Sequence, residues 1–292
     1  MKSKQLRFPL ALIACLGIGP AVYLVAQQPS SELLANNTAT TTSTAPIQTA
    51  RVESSSGANL AENPLKRAME LADASLQQVR QTKDASFILV KRERINGKLN
   101  NFEAVQMKVR HSPYAVYCYT LGPLQPKGRE AIYVEGRNAG KALVHVTGFQ
   151  HKLLGTMKLD PNGSDMMDGN KYPMTTGGFV KMMENIVTLY KSEAKFPEND
   201  VQIFQGAKVD GRSCTCVQVS HPIKRPEFPF QTTRIFYDDE TNHPIRWEAY
   251  DWPAKPGDQP VLSEEYTYRN IQLNCGLTDK DFDSANPAYG YN

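Results

Sequence analysis

The feature that most constrains this chain is a two-residue alternation of apolar and polar side chains between residues 85 and 273, cut repeatedly by tight-turn dipeptides. Such alternation places successive side chains on opposite faces of a strand. The runs 87–95 and 102–109 flank Asn96-Gly97, and 201–209 and 214–220 flank Asp210-Gly211. Both dipeptides tolerate the left-handed backbone that a two-residue hairpin demands. Further strands are predicted at 114–120, 131–135, 142–147, 150–159, 232–237, 245–250 and 262–273. About eleven strands joined mostly by short turns require antiparallel pairing, because parallel strands need long crossovers.

Two helices interrupt the pattern. Asn63 is a suitable N-cap and Pro64 a suitable first helical residue, followed by Leu65, Ala68, Met69, Ala72, Leu76 and Val79 at helical spacing. The second helix spans 179–190. At about 100° per residue its apolar side chains cover about 160° of arc. Lys181, Glu184, Asn185, Thr188 and Lys191 take the other side. The expected fold is mainly β (α+β): a single large curved antiparallel sheet, or open half-barrel. An N-terminal helix and an inserted lid helix would cover it.

The N-terminus is organised differently. Lys2, Lys4 and Arg7 precede nineteen uncharged residues, 8–26. That pattern directs export, with three outcomes open: a cleaved signal peptide, an uncleaved membrane anchor of just sufficient length, or lipidation at Cys15, which ends a Leu-Ile-Ala-Cys lipobox. Residues 27–60 contain 12 Ser or Thr and no aromatic residue, the composition of a disordered linker. The domain division is therefore 1–26 for the signal or anchor, 27–60 for the linker and 61–292 for the folded part. Its location is the periplasm or cell envelope, with membrane contact through residues 8–26.

Composition excludes several classes. The chain is 40% hydrophobic, 9% aromatic and 22% charged, too polar for a polytopic membrane protein. Without the three N-terminal cations, 30 basic residues face 30 acidic ones, so no nucleic-acid partner is expected. No Gly-x-Ser-x-Gly, His-Glu-x-x-His or Cys-x-x-Cys motif occurs. The run from Asp160 matches the first positions of a calcium loop but has Asp165 where glycine is needed and Lys171 where glutamate is needed. His145 and His151 flank one turn without a metal spacing. No metal, cofactor or catalytic residue is predicted. Cys118, Cys214, Cys216 and Cys275 lie in the exported part, where three disulfide pairings or inert thiols are all compatible with the sequence.

What stands out is apolar and adaptable. Six of nine methionines fall between Met157 and Met183. Thioether side chains repack around varied partners, though they equally fill gaps in a core. Trp247, Tyr250 and Trp252 form an aromatic group, with Trp247 on the opposite face to the other two.

Finally, the runs Glu93-Arg94-Ile95-Asn96-Gly97-Lys98, Gly128-Arg129-Glu130, Tyr133-Val134-Glu135-Gly136, Tyr172-Pro173 and Glu265-Tyr266-Thr267-Tyr268-Arg269-Asn270, with Asn274-Cys275-Gly276-Leu277, resemble a bacterial exported family called domain of unknown function 1571. The resemblance extends from about Asn63 to the C-terminus. That family is similar in layout to the LolA-type lipoprotein carriers and to a domain of the sensor RseB. The resemblance implies an open barrel with an apolar cavity for acyl chains. The expected function is non-enzymatic binding of a hydrophobic ligand, a lipid or lipoprotein acyl chain. The alternative is an RseB-like sensor with an envelope protein partner, and a hydrolase with a hidden site stands third. Phe179, Met182, Met183, Ile186, Tyr190, Trp247 and Trp252 are the candidate ligand-binding residues. Phe179, Met183 and Ile186 in particular are expected to face the cavity.

Overall fold

A computed structural model of the chain describes residues 51–54, 63–147, 155–255 and 257–291. Segment 1–26, with Cys15, lies outside the described residues, as do His151 and all of 27–60 except 51–54.

Among the described residues, thirteen strands form one antiparallel sheet. They are β1 (Arg51–Ser54), β2 (Asp84–Ile95), β3 (Lys98–Leu99), β4 (Glu103–His111), β5 (Tyr114–Gly122), β6 (Glu130–Val134), β7 (Ala142–His145), β8 (Met157–Leu159), β9 (Asp200–Val209), β10 (Arg212–Ser220), β11 (Thr232–Asp238), β12 (Pro244–Asp251) and β13 (Val261–Leu273). Their spatial order is β1-β9-β10-β11-β12-β13-β2-β4-β5-β6-β7-β8, with β3 paired to β2 alone. The two ends of that order do not pair with each other, so the sheet is open. The fold class expected from the alternation is the one observed.

Both dipeptide turns form as expected. Asn96 and Gly97 take φ of 50° and 78°, and Asp210 and Gly211 take 51° and 81°. Two positive φ angles in succession define the hairpin turn whose twist matches its strands.

One strand lies where none was expected. Arg51–Ser54, within the stretch read as a linker, pairs antiparallel with β9 from Arg51↔Gln205 to Ser54↔Gln202. The absence of aromatic residues argues against a buried core there. It does not prevent backbone N–H and C=O groups from satisfying an otherwise open sheet edge.

The helices are α1 (Lys66–Gln81), α2 (Ser164–Met167) and α3 (Phe179–Glu193). Helix α1 starts later than expected. Asn63 Oδ1 accepts from Leu65 N at 2.9 Å, and Leu65 takes the cap position. The side chains of Ala68, Ala72, Leu76 and Val79 are buried along one stripe. They join Phe179, Met183, Val187, Ile235 and Val217 in the main core, which lies between α1, α3 and one face of the sheet. A smaller cluster holds Tyr117, Ile132, Phe282, Tyr289 and Tyr291, where the C-terminal segment covers β5 and β6.

All four cysteines of the described region are free thiols, with Cys214 and Cys216 buried together beside Phe236 and Ile245. A register shift between Cys214 and Cys216 leaves both in that one cluster.

Candidate functional site

A cavity of about 510 Å³ lies between the sheet, α3 and the segment 164–178. The strand register sets out its floor in rows. Tyr268, Leu89, Val105 and Thr120 lie side by side across β13, β2, β4 and β5. Met107, Cys118 and Ala131 form a second row. Toward the other end of the strands, Trp247, Tyr266, Lys91 and Glu103 are opposed, and beyond them Glu264 faces Glu93. All of these residues line the cavity. One parity of β2 thus runs Phe87, Leu89, Lys91, Glu93, from apolar to charged along a single face.

Helix α3 supplies one wall. Met182, Asn185, Ile186 and Leu189 line the cavity. Their spacing of three, one and three places them on one helical face. Gly178 precedes the helix at φ 95°, and a Cβ there would lie 2.9 Å from Val109 Cγ1. Glycine is what lets the start of α3 lie against β4 in this backbone conformation. At its far end, Asn199 Nδ2 donates to Glu193 O at 2.9 Å, and Glu193 Oε1 lies 3.3 Å from His221 Nε2.

Segment 164–178 is a second cover, tied to the floor by polar contacts. Tyr114 Oη donates to Met174 O at 3.0 Å and Gly177 O at 3.1 Å. Lys171 Nζ lies 3.1 Å from Glu264 Oε2, and Tyr172 Oη donates to both Glu264 oxygens. Lys91 Nζ donates to Asn170 Oδ1. Met166, Pro173 and Met174 from this segment complete the apolar lining with Phe230.

The charged end is buried and internally matched. Glu93, Glu103 and Glu264 are 4%, 3% and 1% exposed. Glu93 accepts from Lys91 Nζ at 3.0 Å and from Tyr266 Oη. Glu264 also accepts from Trp247 Nε1 at 2.9 Å. Glu103 Oε1 accepts from Gln125 N at 3.0 Å, and its Oε2 is 3.7 Å from Lys91. Burial raises the Glu103 carboxyl above its ordinary range, with the Lys91 charge opposing that shift. Burial also pushes the Cys118 thiol up to about 12, which keeps it protonated and unreactive as a nucleophile. Among the described residues, no group of three His, Cys, Asp or Glu side chains is placed to hold a metal ion.

Of the seven residues singled out from the sequence, Met182, Ile186 and Trp247 line the cavity. Phe179, Met183 and Tyr190 do not. Each is fully buried in the core cluster with α1 and the sheet. The expectation that Phe179 and Met183 face the cavity is corrected accordingly. The apolar arc of α3 is wide because it meets two apolar surfaces, and these residues occupy the edge turned to the core. Trp252 also lies outside the lining. Its Nε1 donates to Phe228 O at 3.3 Å, holding the loop after β10. The charged end was missed. Its signal was the change from Leu89 to Lys91 and Glu93 on one strand parity.

These features define a class of protein: an open antiparallel sheet with a partly covered, largely apolar cavity on one face. Within that class the chain belongs to the DUF1571 family of proteins of unknown function, whose profile matches residues 82–291. The match starts after α1, later than the Asn63 expected. No curated protein matches the sequence. Solved structures similar to it include the lipoprotein LppX of Mycobacterium tuberculosis, 13% identical over 75% of this chain and 100% of that one, TM-score 0.43. MucB is 12% identical over 74% of this chain and 62% of its own, TM-score 0.44. A LolA superfamily protein from Nitrosomonas europaea is 9% identical over 73% and 97%, TM-score 0.31.

Proposed function

We propose that this protein binds a hydrophobic ligand, a lipid or an acyl chain, non-covalently and without catalysis in the cell envelope. The observation that carries the reading is the cavity itself. Its volume of about 510 Å³ falls in the range of small-molecule sites. Leu89, Val105, Met107, Met174, Met182, Ile186 and Leu189 give it an apolar wall on both floor and cover. Each methylene transferred from water to such a wall contributes about 0.8 kcal/mol. Four methionines in the lining, Met107, Met166, Met174 and Met182, adapt to chains of different shape.

The envelope location rests on the export pattern of residues 1–26, with residues between 27 and 60 as the connection to the folded part. Among the described residues, no helix is long and apolar enough to cross a membrane. Native mass spectrometry of the full chain, purified gently from its own host, tests the reading. A bound lipid mass that disappears in Met182→Asp supports it. A bare chain that also fails to bind a fluorescent fatty-acid probe contradicts it.

A further inference from the structure

The hydrogen-bonding groups that line the cavity fall into two sets. Around Glu93 and Glu264 donors and acceptors are matched to one another. Tyr266, Tyr172, Trp247, Lys171 and Lys91 all spend their protons on those carboxylates. The second set lies at the β5–β6 connection and is unspent. Arg129 lines the cavity, yet among the described residues the single hydrogen bond from its guanidinium goes to the Met166 sulfur, 3.9 Å away. Thioether sulfur is a weak acceptor, and a guanidinium carries five N–H donors in a planar fork. Thr120, 8% exposed, lines the same space, and its hydroxyl has no partner among the described residues. The carboxamide of Gln125 is likewise unpaired there, only its backbone N–H being used. Backbone bonds hold the group together: Thr120 N donates to Arg129 O at 2.9 Å, and Arg129 N to Pro126 O at 3.3 Å.

We propose that the ligand is an amphiphile with an anionic head, a carboxylate or phosphate, held by Arg129 with Gln125 and Thr120 while its chain lies along Leu89, Val105 and Met182. This rests on the lipid-binding reading and narrows it. The diacylglyceryl group of a lipoprotein carries neither a carboxylate nor a phosphate, so the site favours free fatty acids or phospholipids over the acyl chains of a lipoprotein. A guanidinium fork is shaped for two oxygens of a carboxylate or phosphate. Besides the matched Glu93 and Glu264, two carboxylates of the lining oppose an anion here: Glu130, which accepts from Tyr117 Oη at 3.1 Å and Gly290 N at 2.8 Å, and Glu103, whose charge Lys91 and Arg129 offset. Burial also favours its neutral form.

The test uses the full chain stripped of co-purified lipid, with a neutral fluorescent probe in the cavity. Dodecanoate, dodecyl phosphate, dodecanol and dodecyltrimethylammonium displace it below their micelle concentrations. The two anions are expected to bind roughly tenfold tighter than dodecanol, the gain of one charge-assisted bond. In Arg129→Gln that advantage disappears while dodecanol affinity stays the same. Thr120→Val gives a smaller loss of the same kind and serves if Arg129→Gln does not fold. Equal affinity of acid and alcohol for the unmutated protein overturns the proposal. So does tighter binding of the ammonium, or an Arg129→Gln variant that weakens dodecanol as much as dodecanoate. Inorganic phosphate competing as well as dodecyl phosphate assigns the group to a free anion and overturns it too. Absence of binding by every amphiphile contradicts the cavity reading itself, and the head assignment with it.

Discussion

Met182 and Met183 are neighbours in sequence with opposite surroundings. Met183 is fully buried among Phe87, Phe179 and the residues of α1, whereas Met182 is half-buried and lines the cavity. The same division runs along α3. Phe179, Met183, Val187 and Tyr190 face the core, Met182, Asn185 and Leu189 face the cavity, and Ile186, buried in the core cluster, also lines the cavity between the two sets. A wide apolar arc on a helix therefore does not name one partner surface. Here it serves two, and only one of them is available to a ligand.

The comparison is most severely tested by matched aspartates. Met183→Asp places a carboxylate in a dry core with no partner, and loss of the folded state is expected by circular dichroism. Phe179 packs tilted against Phe87 and Tyr268, with ring centroids 5.3 Å and 4.8 Å away, so Phe179→Ala should lower stability by about 3–5 kcal/mol in urea unfolding. Met182→Asp should leave stability within about 1 kcal/mol and weaken a fluorescent fatty-acid probe at least about tenfold. An unfolded Met182→Asp alongside a folded Met183→Asp would reverse the assignment of the two edges.

The two faces of the sheet offer a smaller, pH-dependent contrast. Burial by itself would push Glu248 up, but the Arg246 charge overrides it and holds that carboxyl below its ordinary range. Such a group adds stability above its unfolded pKa and loses it as pH falls through the folded one. Glu103 behaves oppositely. Its raised value means that its contribution is present below the ordinary glutamate range and fades as pH rises through the folded value. Thermal melts from acid to neutral pH should show Glu248→Gln flattening the loss on the acid side. Glu103→Gln should raise Tm at neutral pH and leave it unchanged in acid.

Much of the sheet was legible because alternation and turn chemistry are local. Asn96-Gly97 and Asp210-Gly211 needed nothing distant to declare their hairpins. Strand β1 was not legible, since its four residues bury no core in sequence terms and exist as a strand only beside β9. The site was half legible. Periodicity identified α3 as one-faced, but the choice between its two apolar edges depends on where α1 packs. The matched charges of Lys91, Glu93 and Glu264 and the unspent donors near Arg129 arise from register across six strands, which a single strand does not reveal.

The chain contains two tryptophans, and they separate the cavity from its surroundings. Trp247 lines the cavity, whereas Trp252 lies outside its lining, bonded to Phe228 O. Bromine quenches indole fluorescence at contact, so a brominated fatty acid titrated into Trp252→Phe reports on Trp247 alone. Saturable quenching there, with little in Trp247→Phe, is the result expected of a ligand cavity on this face of the sheet. Unquenched Trp247 at saturating fatty acid, or equal quenching of both tryptophans, would contradict it.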